Sequence, residues 1–240
     1  MKEGFKMKKI LAVIAASLMV VSFASCGQAK KTSSSGTTSK SSKPSSSYSG
    51  VTGGYTDAES TKITDEIKAL VEKATKGLDG AQYTPVAYIS SQVVAGTNHL
   101  ILCKITPVTP DAVSKYALVT IYEDLDGNAE ITEISETDTE APSEQSEEFV
   151  GGYTEPETPE VTKEAANALK KASETLTGAT HEAKALLGTQ VVSGTNYMLL
   201  CKTTPSVPNG EPYYTIVTVF EDLKGNCEIT DTSEFRTTEE

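Results

Sequence analysis

From Ile63 the apolar positions fall three and four apart, at Ile63, Ile67, Leu70, Val71, Ala74 and Leu78. Such spacing lines one face of a helix, so an amphipathic helix is expected here, stopped by Gly80. Past the glycine the period shortens to two. Runs at 83–94, 98–106, 116–123 and 129–134, rich in Val, Ile, Tyr and Thr, read as strands. Within the second run Ile101, Cys103 and Ile105 share one side, and Leu100 and Leu102 share the other. The Asp-Gly pair in Glu123 to Asn128 (EDLDGN) is a hairpin-turn signal between the third and fourth runs. A short lead-in strand, a helix and four antiparallel strands then follow in order. A sheet with one apolar face for the helix to cover is an α+β arrangement.

The whole pattern occurs twice. Gly151-Gly152-Tyr153-Thr154 stands 98 positions after Gly53-Gly54-Tyr55-Thr56, and the same offset carries through Glu136 and Glu234 without a gap. Val161, Ala165, Ala168, Leu169, Ala172 and Leu176 repeat the helical stripe, Gly178 repeats the stop, and EDLKGN at Glu221 to Asn226 repeats the turn. The expectation is two domains, 51–136 and 149–240, joined by an acidic linker at 137–148. Leu100, Leu102, Met198 and Leu200 fall on the sheet face away from the helix. Two uses of that face stay open, packing the domains together or binding something else.

The start of the chain adds an address. Lys6, Lys8 and Lys9 precede an apolar run from Ile10 to Phe23, the pattern of a secretory signal peptide over residues 1–25. Phe23-Ala24-Ser25-Cys26 resembles the bacterial lipobox, which implies acylation of Cys26 and anchorage to the cell membrane outside the cytoplasm. Residues 26–50, dense in Ser, Thr and Lys, read as a tether.

A net charge of −12 argues against nucleic acid as a partner. After Cys26 only Cys103, Cys201 and Cys227 remain, too few for a disulfide framework. With two histidines, His99 and His181, no catalytic constellation can be assembled. Asp124 to Asn128 reads as a turn rather than a calcium loop, so no metal, cofactor or enzymatic activity is expected.

One feature resists a purely structural reading. The first hairpin tip is Gln92-Val93-Val94-Ala95-Gly96, and its repeat is Gln190-Val191-Val192-Ser193-Gly194. Turn tips ordinarily carry polar residues or glycine, whereas these carry paired valines. In order and wording these elements resemble the cystatin family of cysteine protease inhibitors. The resemblance implies two tandem cystatin-like domains, each a four- to five-stranded antiparallel sheet wrapped around one helix. It also implies a wedge that fills the active-site cleft of a papain-like cysteine protease. The wedge would comprise a trunk (Val51, Thr52, Gly53 and Gly54; Phe149, Val150, Gly151 and Gly152), the two QVV tips, and a second loop. That loop lacks the Pro-Trp pair of many secreted members; stefin-type members have a leucine there, matched by Leu125 and Leu223. Gly96 would let backbone approach backbone inside the cleft. The rival expectation is a cell-surface binding or structural module that does not inhibit.

Overall fold

The computed structural model describes residues 54–109, 112–142 and 151–237. Residues 49–240 make one compact unit. In the first repeat β1 (Thr56–Asp57) precedes α1 (Asp65–Ala74), followed by β2 (Ala81–Val94), β3 (Gly96–Pro107), β4 (Lys115–Glu123) and β5 (Ala129–Glu140). The second repeat supplies α2 (Lys163–Ser173), β6 (Ala179–Val192), β7 (Gly194–Pro205), β8 (Tyr213–Asp222), β9 (Cys227–Glu234) and β10 (Arg236–Thr237). Each helix starts where a threonine hydroxyl accepts from a backbone amide of the first turn, Thr64 from Ile67 and Thr162 from Ala165. Among the described residues no helix is long and apolar enough to cross a membrane.

The strands form two antiparallel sheets, β1-β2-β3-β4-β5-β10 and β6-β7-β8-β9. This overturns the expected α+β fold of two cystatin-like, helix-wrapped domains. Of the described residues 53% are in strands and 12% in helices, so the structure is mostly antiparallel sheet, with a curled half-barrel sheet. Helices of 10 and 11 residues cover only part of one face of a sheet whose longest strands run to 14. The first sheet, moreover, is completed by β10 from the far end of the chain.

The physical reason lies on the second face of each sheet. Leu70 and Val71 of α1 pack on Ile101, Cys103, Val119 and Ile121, and α2 packs equivalently on Leu199, Cys201, Val217 and Val219. A third core lies between the sheets, where Ala87, Ile89, Leu102 and Leu118 meet Ala185, Leu187, Met198, Leu200 and Ile216. Both faces of each sheet are thus apolar, and two sheets stack as layers around a shared interior. Of the two uses left open for the Leu100 face, the structure shows packing between the repeats. Tyr116 and Ala141 join that core, and β5 runs on to Glu140, past the start of the acidic segment.

The curl has a local cause. Register shifts fall between Pro85 and Ala87 and between Tyr88 and Ser90, and again at Ala183/Ala185 and Leu186/Gly188. An extra residue on one strand bends it and increases its twist, so paired irregularities in β2 and β6 coil each sheet at the same place.

Candidate functional site at the hairpin tips

Backbone pairing brings the proposed elements of each repeat to one end of its sheet. β2 and β3 close at Val94 opposite Gly96, with Ala95 outermost. The start of β3 pairs with the end of β4, Thr97 opposite Glu123, so the turn at 124–128 lies beside the first tip. β1 pairs Thr56 with Ser91, which carries Gly54 and Tyr55 along the other flank. In the second repeat Thr154 exchanges both backbone hydrogen bonds with Thr189, and Gln190 Nε2 donates to the Gly151 carbonyl. Gly151 and Gly152 therefore run beside the second QVV tip. Val51, Thr52, Gly53, Phe149 and Val150, and the lipidation residue Cys26, lie outside the described residues.

The exposure of these residues is unusual for their type. Val93 is 75% exposed, Leu125 86%, Val191 76% and Leu223 85%, and Val94 and Val192 are each 45% exposed. Ala95 and Ser193 complete the exposed tips. Each repeat thus presents a short apolar ridge of two adjacent hairpin tips at one sheet end. An exposed apolar patch in a polar surround is how a docking surface looks before its partner arrives. β-branched valines lose little side-chain freedom when held, which favours binding.

The ridge is braced by residues the sequence reading gave no role. Asn98 Nδ2 donates to Gln92 Oε1 at 2.8 Å, and Asn196 Nδ2 to Gln190 Oε1 at 2.6 Å. The glutamine of the QVV motif is therefore turned across its own hairpin. The Tyr122 hydroxyl donates to the Ala95 carbonyl at 2.6 Å, tying the first tip to the strand that enters the second. Phe220 takes that place in the second repeat and lacks the hydroxyl. The one available signal was the survival of QVV-x-GTN as a whole in both repeats.

Gly96 and Gly194 have an internal explanation. Both are buried, with φ of +134° and +150°. A Cβ at either would stand 2.3 Å from a backbone carbonyl oxygen, of Glu123 or Glu221, and under the Tyr122 or Phe220 ring. The close approach these glycines permit is between two hairpins of the same molecule. Their conformation and lack of space suffice to require glycine, with no partner present.

The second turn is built around an aspartate. Asp124 Oδ1 accepts from the amides of Asp126 and Asn128 at 2.9 and 2.8 Å, and Oδ2 from Asn128 Nδ2 at 2.8 Å. The Asn128 side chain and these amides hold its carboxyl below the ordinary range, and Asp222 repeats the arrangement with Asn226. A lysine from the end of each helix then fastens the turn. Lys73 Nζ donates to the Gly127 carbonyl at 2.6 Å, and Lys171 Nζ to Gly225 at 3.2 Å. We expect Lys73→Met to cost about 1 kcal/mol, the usual worth of an exposed charge-assisted bond. Faster amide exchange at 126–128, with exchange in β3 unchanged, is the measurable result. Unchanged exchange at the turn would remove the lysine from the account.

Among the described residues no group of three or more His, Cys, Asp or Glu side chains is placed to hold a metal ion. His99 is packed, its Nδ1 3.0 Å from the Tyr88 hydroxyl, and burial lowers its pKa against the pull of Glu123. Cys103, Cys201 and Cys227 are free thiols, and burial pushes the first two up to about 12. The thiolate is the reactive form, so burial leaves Cys103 and Cys201 as unreactive thiols at pH 8. Burial and the neighbouring Glu221 raise the Cys227 thiol as well, but Cys227 is only half-buried, so a disulfide reagent at pH 8 should titrate this one thiol ahead of the others in native residues 49–240, and three after denaturation. Rapid reaction of three in the native state would contradict the buried placement. No family model and no curated protein sequence matches the chain.

Proposed function

We propose that this protein is a reversible inhibitor of papain-like cysteine proteases, acting by occlusion of the active-site cleft. The observation that carries the reading is the apolar ridge. In each repeat a QVV tip and a leucine-bearing turn stand side by side at one sheet end, their valines and leucine in solvent. The described trunk residues Gly151 and Gly152 flank the tip, and the tip sequence resembles the first loop of cystatins. Occlusion needs no catalytic group from the inhibitor: stiff apolar side chains fill subsites while the backbone offers no bond to cut. The same reading places the chain outside the cytoplasm, held to the membrane through acyl chains on Cys26. Incorporation of labelled palmitate, lost in Cys26→Ser, tests that part.

The direct test is a titration of papain activity with residues 49–240. Stoichiometric, reversible loss of activity is expected. Unaltered activity at micromolar inhibitor would defeat the reading and favour a non-inhibitory surface module.

A further inference from the structure

The two ridges do not point the same way. Contacts between the repeats are exchanged in pairs: Lys104 Nζ reaches Glu155 at 2.8 Å, and Lys202 Nζ reaches Asp57 at 3.7 Å. Lys202 is the 98-position counterpart of Lys104, and Glu155 that of Asp57, so each repeat meets the other through the same surface. Reciprocal contacts of this kind mark an approximate twofold axis, as in an isologous dimer, here within one chain.

The direction of the axis follows from the strands that leave the second turns. β5 begins at Ala129 immediately after the first repeat's turn, and β9 begins at Cys227 immediately after the second's. These segments run past each other. Thr137 Oγ1 lies 2.7 Å from Ser233 Oγ, Glu136 is opposite Arg236, and Ser135 is opposite Thr237. As one number rises the other falls, so the chains leaving the two turns meet head-on. The turns, and the QVV tips beside them, lie at opposite ends of the body.

From Ala129 to Thr137, and from Cys227 to Phe235, is eight residue steps on each side. Sixteen steps at about 3.3 Å make about 53 Å of fully extended strand, and twist shortens the rise, so the two ridges stand on the order of 40–50 Å apart. A protease of about 200 residues has a radius of gyration of about 16–17 Å. Two such molecules, each approached end-on from opposite directions, do not collide.

We infer that one chain holds two proteases at once, one on each ridge, as a bivalent and not an alternating inhibitor. The inference rests on the inhibitory reading above. The closing experiment separates the two. Papain is immobilised on a sensor surface, residues 49–240 are captured on it, and soluble papain is then injected. The expected result is a second binding step approaching one papain per captured chain. The Val93→Asp and Val191→Asp variants, each checked by circular dichroism for an unchanged fold, should be captured through their intact ridge and give no second step. Capture of the parent chain with no second step overturns bivalence while leaving inhibition standing. No capture of the parent chain overturns the inhibitory reading itself, and bivalence with it.

Discussion

Gly96→Ala is expected to lower the thermal transition of residues 49–240 by about 5–15 °C, and Gly194→Ala by a similar amount. The new methyl group would sit 2.3 Å from the Glu123 carbonyl oxygen and 2.8 Å from the Tyr122 ring, in a backbone conformation that L-residues rarely adopt. Backbone strain of this kind costs about 1–3 kcal/mol and overpacking a further 1–3. A unit of this size loses about 2–4 °C for each kcal/mol. The control is Gly77→Ala, where φ is also positive but nothing lies within 4 Å of the added atom. Its shift should be the smaller by a factor of two or more. A Gly96→Ala protein that melts within 2 °C of the parent would show that the hairpins do not need their close approach. One consequence follows for probing the site: bulky substitutions at Gly96 or Gly194 disturb the fold and so report little about binding.

The parts of the molecule that were legible in its sequence are those set by short-range periodicity. The helical stripe from Ile63, the Asp-Gly turn at 126–127 and the 98-position repeat are visible because neighbours in sequence determine them. The stacking of the two sheets is a long-range fact. Leu100-Ile101-Leu102-Cys103 is a continuous apolar run, the pattern of a strand buried on both faces. Reading it by alternation assigned Ile101 and Cys103 to the helix and left Leu102 without a fixed partner, and the helix then looked like the centre of each fold. β10 carried no signal, since Arg236 and Thr237 are polar and join the first sheet only through backbone pairing. At the ridge, the exposed valines were legible because they break the rule for turn tips. Lys73 was not, because a lysine in the last turn of a helix is already explained by the helix dipole.

The largest functional effect is expected of Val93→Asp combined with Val191→Asp: at least a hundredfold rise in the inhibition constant against papain, with the thermal transition within about 2 °C of the parent. Both valines are about three-quarters exposed, so in the free protein the carboxylates enter water and remove little packing. In the complex the balance reverses. Each substitution forfeits about 1.5–3 kcal/mol of valine burial, and the charge must also shed its hydration to enter an apolar cleft. A loss of about 3 kcal/mol or more at each ridge corresponds to a hundredfold or greater weakening. The substitutions are made in the whole unit because separating the repeats would expose Leu102, Met198 and Leu200, which lie between the sheets. Leu125→Asp with Leu223→Asp should act in the same direction but more weakly, since each leucine stands on the flanking turn, whereas Asp at position 93 or 191 also puts its charge beside the second valine of the tip. Should the valine pair inhibit as well as the parent while the leucine pair does not, the ridge binds through its second turns. Undiminished inhibition by both pairs would mean that the protease is met elsewhere on the molecule.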